Sequence, residues 1–594
     1  MASSPTVDGN DLISMSITSG GNAIPDTYGV MSITITQEVN KIAQAQITIR
    51  DGNPTKQMFE IADADTFKTD STIEISLGYG TDNEAIFSGV VTRQSVRVDD
   101  SGTTFQVTCK DLLVKAIDSK SNLVLSDALD SDAITQIASN LGVENDITAT
   151  TVQKERIIQY HASDWDFIVS SAERNGMVVV TDSGKLVVNA IAVDDDPVLE
   201  LEYGIDIMEM DVELEAVKQL TSLSINAWDL SSQDVVNSEA REPTVNEQGD
   251  VSESDLETVE SVDQVLNTSI PITTDEAEEL TNSILLKYRM SKYRGSIKFP
   301  GSALVKPNTL ISLNGLGDLF DGNAYVSAVT HSFSEGNWST DVQIGISTEW
   351  HSQKAVNSSG PEAKGELTGV KGLQVGIVKS IYDENETEYR VQVQIPVLND
   401  DTELVWARLS SFYASNTFGA FFYPEVGDEV ILGFIEGNPA YPIILGSMYS
   451  SALTPPQEIS DANNYIKTLM TKSQLQLQFD DENIVMTMLT PNNNTIVVSD
   501  NDQGITIIDE NSNQIQMNAD GVTINSASSM TITASDDLTI QGSSVTITAD
   551  NDISVSGNSI SASADDSATI NGDSECTVSS SGNMNVSGSS VNLN

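Results

Sequence analysis

Three histidines, His161, His331 and His351, are the side chains of this sequence best suited to proton transfer near neutral pH. None stands in an HExxH, GxSxG or CxxC context, so neither a zinc hydrolase nor a serine or dithiol motif can be written. His161 precedes a helix-cap sequence and has no second ligand or nucleophile at motif spacing, which makes it structural. Carboxylates are abundant, with 87 Asp and Glu against 29 Lys and Arg. At that density neighbours such as Asp480 and Asp481 arise by chance on solvated turns, whereas a catalytic pair needs a cleft that raises one pKa. Two cysteines, Cys109 and Cys576, cannot build a disulfide framework. No catalytic residue, cofactor site or metal site is therefore expected, and the function must lie in surfaces and assembly.

Those surfaces are organised by the stretch from Val522 to Asn594. Apolar residues open short units at Val522, Met530, Leu538, Val545, Ile553, Ile560, Ala568, Cys576, Met584 and Val591, in steps of seven or eight residues. A second apolar residue follows two places later, at Ile524, Ile532, Ile540, Ile547, Val555, Ala562, Ile570, Val578, Val586 and Leu593. Such pairs share one face of a strand, and the Ser, Asn, Asp and Gly between them supply a corner. A fixed short period predicts a solenoid, because each unit buries its pair only against a neighbour. ASDD, ADND and ADDS recur 15 residues apart, so similar corners stack. Without GGxGxD they read as solvated corners and not as a calcium roll.

A single-chain β-helix would have only about three coils here and would leave a raw apolar end at Leu593. Three chains wound into a triangular prism, with strands about 4.8 Å apart, give a rod on the order of 50 Å long. The trimer is the better reading. Its needle core would be Ile524, Ile532, Ile540, Ile547, Val555, Ile570, Cys576 and Val578, with three Cys576 thiols near the axis.

The net charge of −58 opposes nucleic acid and anionic membrane, which both need basic patches. MASSPTVDGND shows no basic segment followed by an apolar run, and no run of about 18 apolar residues could span a bilayer. The protein is thus expected to be made in the cytoplasm without a Sec signal and exported by another device.

Taken in order, the chain reads β from Leu12 to about Lys115, with alternation at Ala43, Ala45, Ile47 and Ile49 and at Ile73, Ile75 and Leu77. Cys109 falls in such a strand and reads as core. SDAITQIASNLG and ASDWDFIVSSAERNGM predict two helices, the second capped by Ser163 and stopped by Asn175 and Gly176. Thr274 is read as the N-cap of a third helix, DEAEELTNSILLKYRM, and Ser231 to Val262 as a long exposed acidic loop. VVTRQSVRVDDSGTTFQVT at Val90 and AVTHSFSEGNWSTDVQIG at Ala328 echo each other, as two copies of one β domain would. SSGPEAKG marks a linker. Five strand candidates follow between Gly369 and Ser451, which suggests an OB-fold barrel; its acidity argues against nucleic acid.

The segment from GSIKFPGSALVKP to STDVQIG, together with SDWDFIVSSAERNGM, resembles the hub domain of VgrG and Rhs-element Vgr proteins. FFYPEVGDEVILGFIEGNPAYPIILGSMY, with Trp406, Ala407 and Arg408 before it, is similar to the phage baseplate OB domain. The resemblance implies a mainly β chain with two tube-like hub barrels at 1–118 and 201–352 and an α/β insert at 119–200. A linker at 353–368, an OB-fold domain at 369–451, a connector at 452–470 and a trimeric β-helical needle at 471–594 complete it. It further implies a homotrimeric, non-enzymatic spike that joins inner tube and baseplate proteins, carries effector cargo and pierces a target membrane during sheath contraction. Phage spikes with a closed tip hold metal through HxH, and no histidine follows His351. The end is then blunt, and a PAAR-like protein is expected to cover it at Val586, Val591, Asn592, Leu593 and Asn594. A trimeric tail fibre or adhesin that binds a receptor, and a polysaccharide-cleaving spike, are the rival functions.

Overall fold

The computed structural model describes residues 3–5, 12–100, 102–216, 219–229, 234–251, 262–268, 272–354, 370–398, 404–459 and 461–593. The chain is mainly β and divides into two compact units, residues 1–448 and 449–594.

The alternating apolar runs of the first unit form one thirteen-stranded sheet with two separate cores. Along one part of it the strands Gln44–Arg50, Gly102–Lys110, Asp82–Asp99 and Thr72–Tyr79 lie side by side. Their inward residues, among them Ile47, Ile49, Ile73, Ile75, Phe105 and Cys109, make the first core. Tyr293–Pro300, Asn337–Ile344, Gly322–Ser334 and Thr309–Asn314 repeat the same order around Ile297, Phe299, Ile311, Val326 and Val342. In both copies the long central strand slips register next to its partner, between Val91 and Arg93 and between Val326 and Ala328. Extra residues at the same place bend both sheets alike, which gives the sequence echo a structural counterpart. The copies are not free-standing: Gly29–Glu38 pairs with Gly322–Ser334, so hydrogen bonding runs continuously from one to the other.

The α/β insert carries helices Asp130–Leu141 and Asp164–Arg174 over the strands Met177–Asp182, Lys185–Ala190 and Glu144–Ile147. Gly142 closes the first helix at φ 64°, a left-handed position that glycine takes without strain. The Ser163 hydroxyl accepts from the Asp166 N–H, and Trp165, Ile168, Val169 and Ala172 face the core. Two expectations need correction. The third helix spans Thr274–Met290 and its cap is Thr273, not Thr274. Thr273 Oγ1 accepts from Glu276 N while the Glu276 carboxylate accepts from Thr273 N; only Thr273 has an acid three places on. The acidic segment read as a loop contains the strand Asp234–Glu239, which pairs antiparallel to Ser222–Asp229. Backbone pairing outweighs its polar composition there. Residues 252–261 of that segment, and the linker from residue 355 onward, lie outside the described residues.

All five strand candidates of the next block form a closed barrel, Gln374–Ser380, Val391–Gln394, Val405–Leu409, Glu429–Phe434 and Pro442–Ser447, around Val378, Val393, Ala407, Leu432 and Ile444. FFYPEV, expected within a strand, lies in the irregular stretch before Glu429, with Phe421 and Phe422 exposed and Tyr423 packed against the barrel core.

The second unit opens with seven five-residue strands in an antiparallel meander from Ile466 to Asn525. The expected connector at 452–470 therefore ends in a strand, Ile466–Met470, that pairs with Gln476–Asp480.

Candidate assembly interface

The meander places every second side chain on one face, and its register lines those side chains into rows. One row reads Leu469, Leu477, Met488, Ile496, Ile507, Ile515, Ile524; the next reads Lys467, Phe479, Met486, Val498, Ile505, Met517, Val522. Thirteen of these fourteen positions are apolar, and none is buried. The row between them on the opposite face is Thr468, Gln478, Thr487, Val497, Thr506, Gln516, Thr523, polar but for one valine. The upper part of the apolar face, from Leu469 and Leu475 to Ile507, borders a concavity of about 570 Å³.

Acidic turn residues hold the corners of this sheet. Asp480 accepts from the Asn483 backbone N–H at 3.0 Å and its side-chain amide at 2.9 Å. Asp509 does the same with Asn513 at 2.8 Å in both contacts. In each case the asparagine side chain, then the backbone N–H, holds the carboxyl below its ordinary pKa. Asp480 is thus a turn acceptor, while its neighbour Asp481 pairs with Lys467.

From Ser526 to Leu593 the described chain forms no strand within itself. The needle-core residues Ile524, Ile532, Ile540, Ile547, Val555, Ile570 and Val578 are 58 to 80% exposed, and Cys576 is exposed too. One copy does not bring them together. Of the tip residues, Val586, Val591, Asn592 and Leu593 are exposed, Leu593 at 91%, and Asn594 lies outside the described residues.

Several titratable groups of the first unit are tied into structure. His331 is buried, its Nδ1 lies 3.0 Å from Thr340 Oγ1, and burial drives its pKa down to about 4. His351 Nε2 lies 2.7 Å from Asp166 Oδ1, and its backbone N–H donates to Glu173, which also receives Lys287. His161 lies on Lys154–Ser163, but its side chain is outside the described residues. Cys109 is packed in the first core, where burial pushes the thiol up to about 12. Among the described residues no three His, Cys, Asp or Glu side chains are grouped to hold a metal ion, and no helix is long and apolar enough to cross a membrane.

One surface feature escaped the reading of motifs. Between Val405–Leu409 and Glu429–Phe434 the barrel projects Phe412, Tyr413, Phe418, Phe421 and Phe422, each more than half exposed. Its signal was present in the sequence: Ser410 to Tyr423 contains no charged residue.

Comparison with known proteins places this architecture. Residues 374–449 match the model described as the type VI secretion system/phage-baseplate injector OB domain. The spike protein VgrG4b of Pseudomonas aeruginosa is 38% identical over 60 residues, 10% of this chain and 7% of that one. VgrG3 of Vibrio cholerae is 30% identical over 101 residues, 16% of this chain and 10% of that one. The alignments thus span a tenth or less of these relatives' length. A tail protein from Neisseria meningitidis superposes with a TM-score of 0.43 at 13% identity, over 57% of this chain and 98% of that one. A chain of the lidded Francisella PdpA-VgrG complex gives 0.39 at 10% identity, over 87% and 80%. With its large β-sheet unit, closed barrel and repeat-bearing tail, the chain is VgrG-like, similar to spike and baseplate proteins. It belongs to the family defined by the Alg8 N-terminal domain, whose model matches residues 9–335, more than half of the chain.

Proposed function

We propose that three copies of this chain form the central hub and spike of a contractile injection system. Residues 1–352 act as the ring that meets inner tube and baseplate proteins, 369–451 as an OB-fold collar, and the remainder as a triangular β-helical needle. The needle carries effector cargo, and sheath contraction drives it through a target envelope. The protein's role is mechanical and not enzymatic, and it reaches the outside as part of the particle.

The observation that carries this reading is the uncovered apolar face, thirteen of fourteen positions in a chain of net charge −58. Covering a large aliphatic side chain contributes about 1.5–3 kcal/mol. The nine most open of these side chains are 36 to 68% exposed in one copy, so closing the face gains the part of that contribution that their remaining exposed area carries. Three such sheets facing inward cover one another, and the units after Ser526 then find strand neighbours in the other two copies. With strands about 4.8 Å apart the meander alone adds roughly 30 Å to the rod.

Light scattering on the purified full chain is expected to give a trimer, and electron micrographs a rod projecting from a ring. A stable monomer that keeps the strand signal of residues 466–594 sinks the proposal.

A further inference from the structure

We infer that the aromatic hairpin of the barrel, Ser411 to Tyr423, is a contact between copies of this chain; the inference rests on the trimeric reading above. The hairpin is built and not loose. Ala414 bridges Gly419, Ser415 N donates to Phe418 O at 3.0 Å, and Ala420 N donates to Tyr413 O at 2.8 Å. The Ser411 hydroxyl lies 3.2 Å from Tyr413 O and 3.1 Å from Ala420 O. Gly419 sits at φ 147°, and a Cβ there would come within 2.7 Å of Tyr413 O, so the turn closes only with glycine. Ring pairs Tyr413–Phe418 and Phe421–Tyr423, with centroids 6.1 and 5.0 Å apart, stiffen it further.

This rigid element spends its apolar area on solvent. Phe412 is 87% and Phe421 80% exposed. Aromatic enrichment with depletion of charge marks the centre of a protein interface, and a preorganised loop loses little entropy on docking. The charge pattern names the occupant. One residue in five of the chain is charged and the net charge is −58, yet the fourteen residues from Ser410 to Tyr423 carry none. Copies of so acidic a chain repel one another on balance, and least where uncharged surfaces meet. A basic partner would instead seek the acidic surface that this hairpin lacks. A second copy is the occupant that gains most from an uncharged aromatic tip.

The test places the photo-crosslinking residue p-benzoylphenylalanine at Phe412, and separately at Phe421, in the full chain. Both positions are exposed, so folding should be unaffected. Irradiation is expected to yield cross-linked dimers and trimers of the chain. F412S combined with F421S should raise at least tenfold the concentration at which the trimer half-dissociates, with an unchanged circular dichroism spectrum. A trimer by light scattering that gives no self-cross-link at either position overturns the hairpin contact and leaves the trimeric reading intact. Cross-links only to a different protein also overturn it, and a monomer removes both.

Discussion

At the scale of single residues, the buried charges of the hub are where pH acts. Asp130 is buried and receives Lys154, Arg174 at 2.9 Å and Asn175 at 2.8 Å. Glu279, 3.9 Å from Lys154, shares that cation without owning it. Burial, reinforced by Asp130 and Glu276 against the pull of Lys154 and Arg174, pushes the Glu279 carboxyl up to about 7. A raised carboxylate pKa means that the folded state binds the proton more tightly than the unfolded one. Stability on this account falls as pH rises from the ordinary carboxylate range through about 7. E279Q removes the penalty, so its gain in melting temperature is expected to be larger at pH 8 than at pH 5; an equal gain at both would refute the assignment. Cys576 tests register in the needle. It takes the first apolar place of its unit, which Val, Ile and Met fill in neighbouring units, and is exposed in one copy. In the proposed prism it packs as a small hydrophobe near the axis. Native protein should resist a bulky maleimide at Cys576, and C576D should block assembly by burying three like charges. Rapid labelling of the native trimer would argue for another register.

At the scale of elements, the meander makes the sharpest claim. Ile507 sits mid-sheet on the apolar face, between Ile496 and Ile515. I507D puts a charge where the proposed partner sheets close, at several kcal/mol per desolvated carboxylate. The variant is expected to run as a monomer while keeping the thermal transition of its hub. A trimer of unchanged stability would mean that this face is not the contact. What was legible at this scale followed local chemistry: Ser163 and Gly142 end their helices as their types require, and Ile47, Ile75 and Val107 alternate into the core. The Thr273 cap was missed by one place because two threonines stand together and only the reciprocal Glu276 bond distinguishes them. Asp234–Glu239 was missed because its own composition is polar, while the strand is made by backbone pairing to the strand just before it, Ser222–Asp229. The aromatic hairpin was visible as a gap in charge, but charge absence carries no periodicity and so no motif. The needle's period was read from its pairs, yet its contacts cannot be seen in one chain, since the pairs Ile532 to Val578 have no neighbours of their own.

At the scale of the whole molecule, the proposed trimer sets the mutual repulsion of chains of net charge −58 against the covering of the apolar rows that one copy leaves exposed. In the proposed trimer the same exposed pairs continue to residues 584–593. Met584, Val586, Val591 and Leu593 are exposed, Leu593 at 91%. Such a surface invites strand addition. We propose that a small conical PAAR-like cap, one per three chains, binds there through Val586, Val591, Asn592, Leu593 and Asn594. Removing residues 586–594 takes away two apolar pairs at most and leaves the seven-stranded sheet and the units before them to hold the trimer. The truncated protein is therefore expected to stay trimeric by light scattering, to melt within a few degrees of the full chain, and to lose co-purification of the cap. Retention of the cap by that trimer would move the contact elsewhere on the rod, and loss of the trimer itself would show that the last units are needed to wind it.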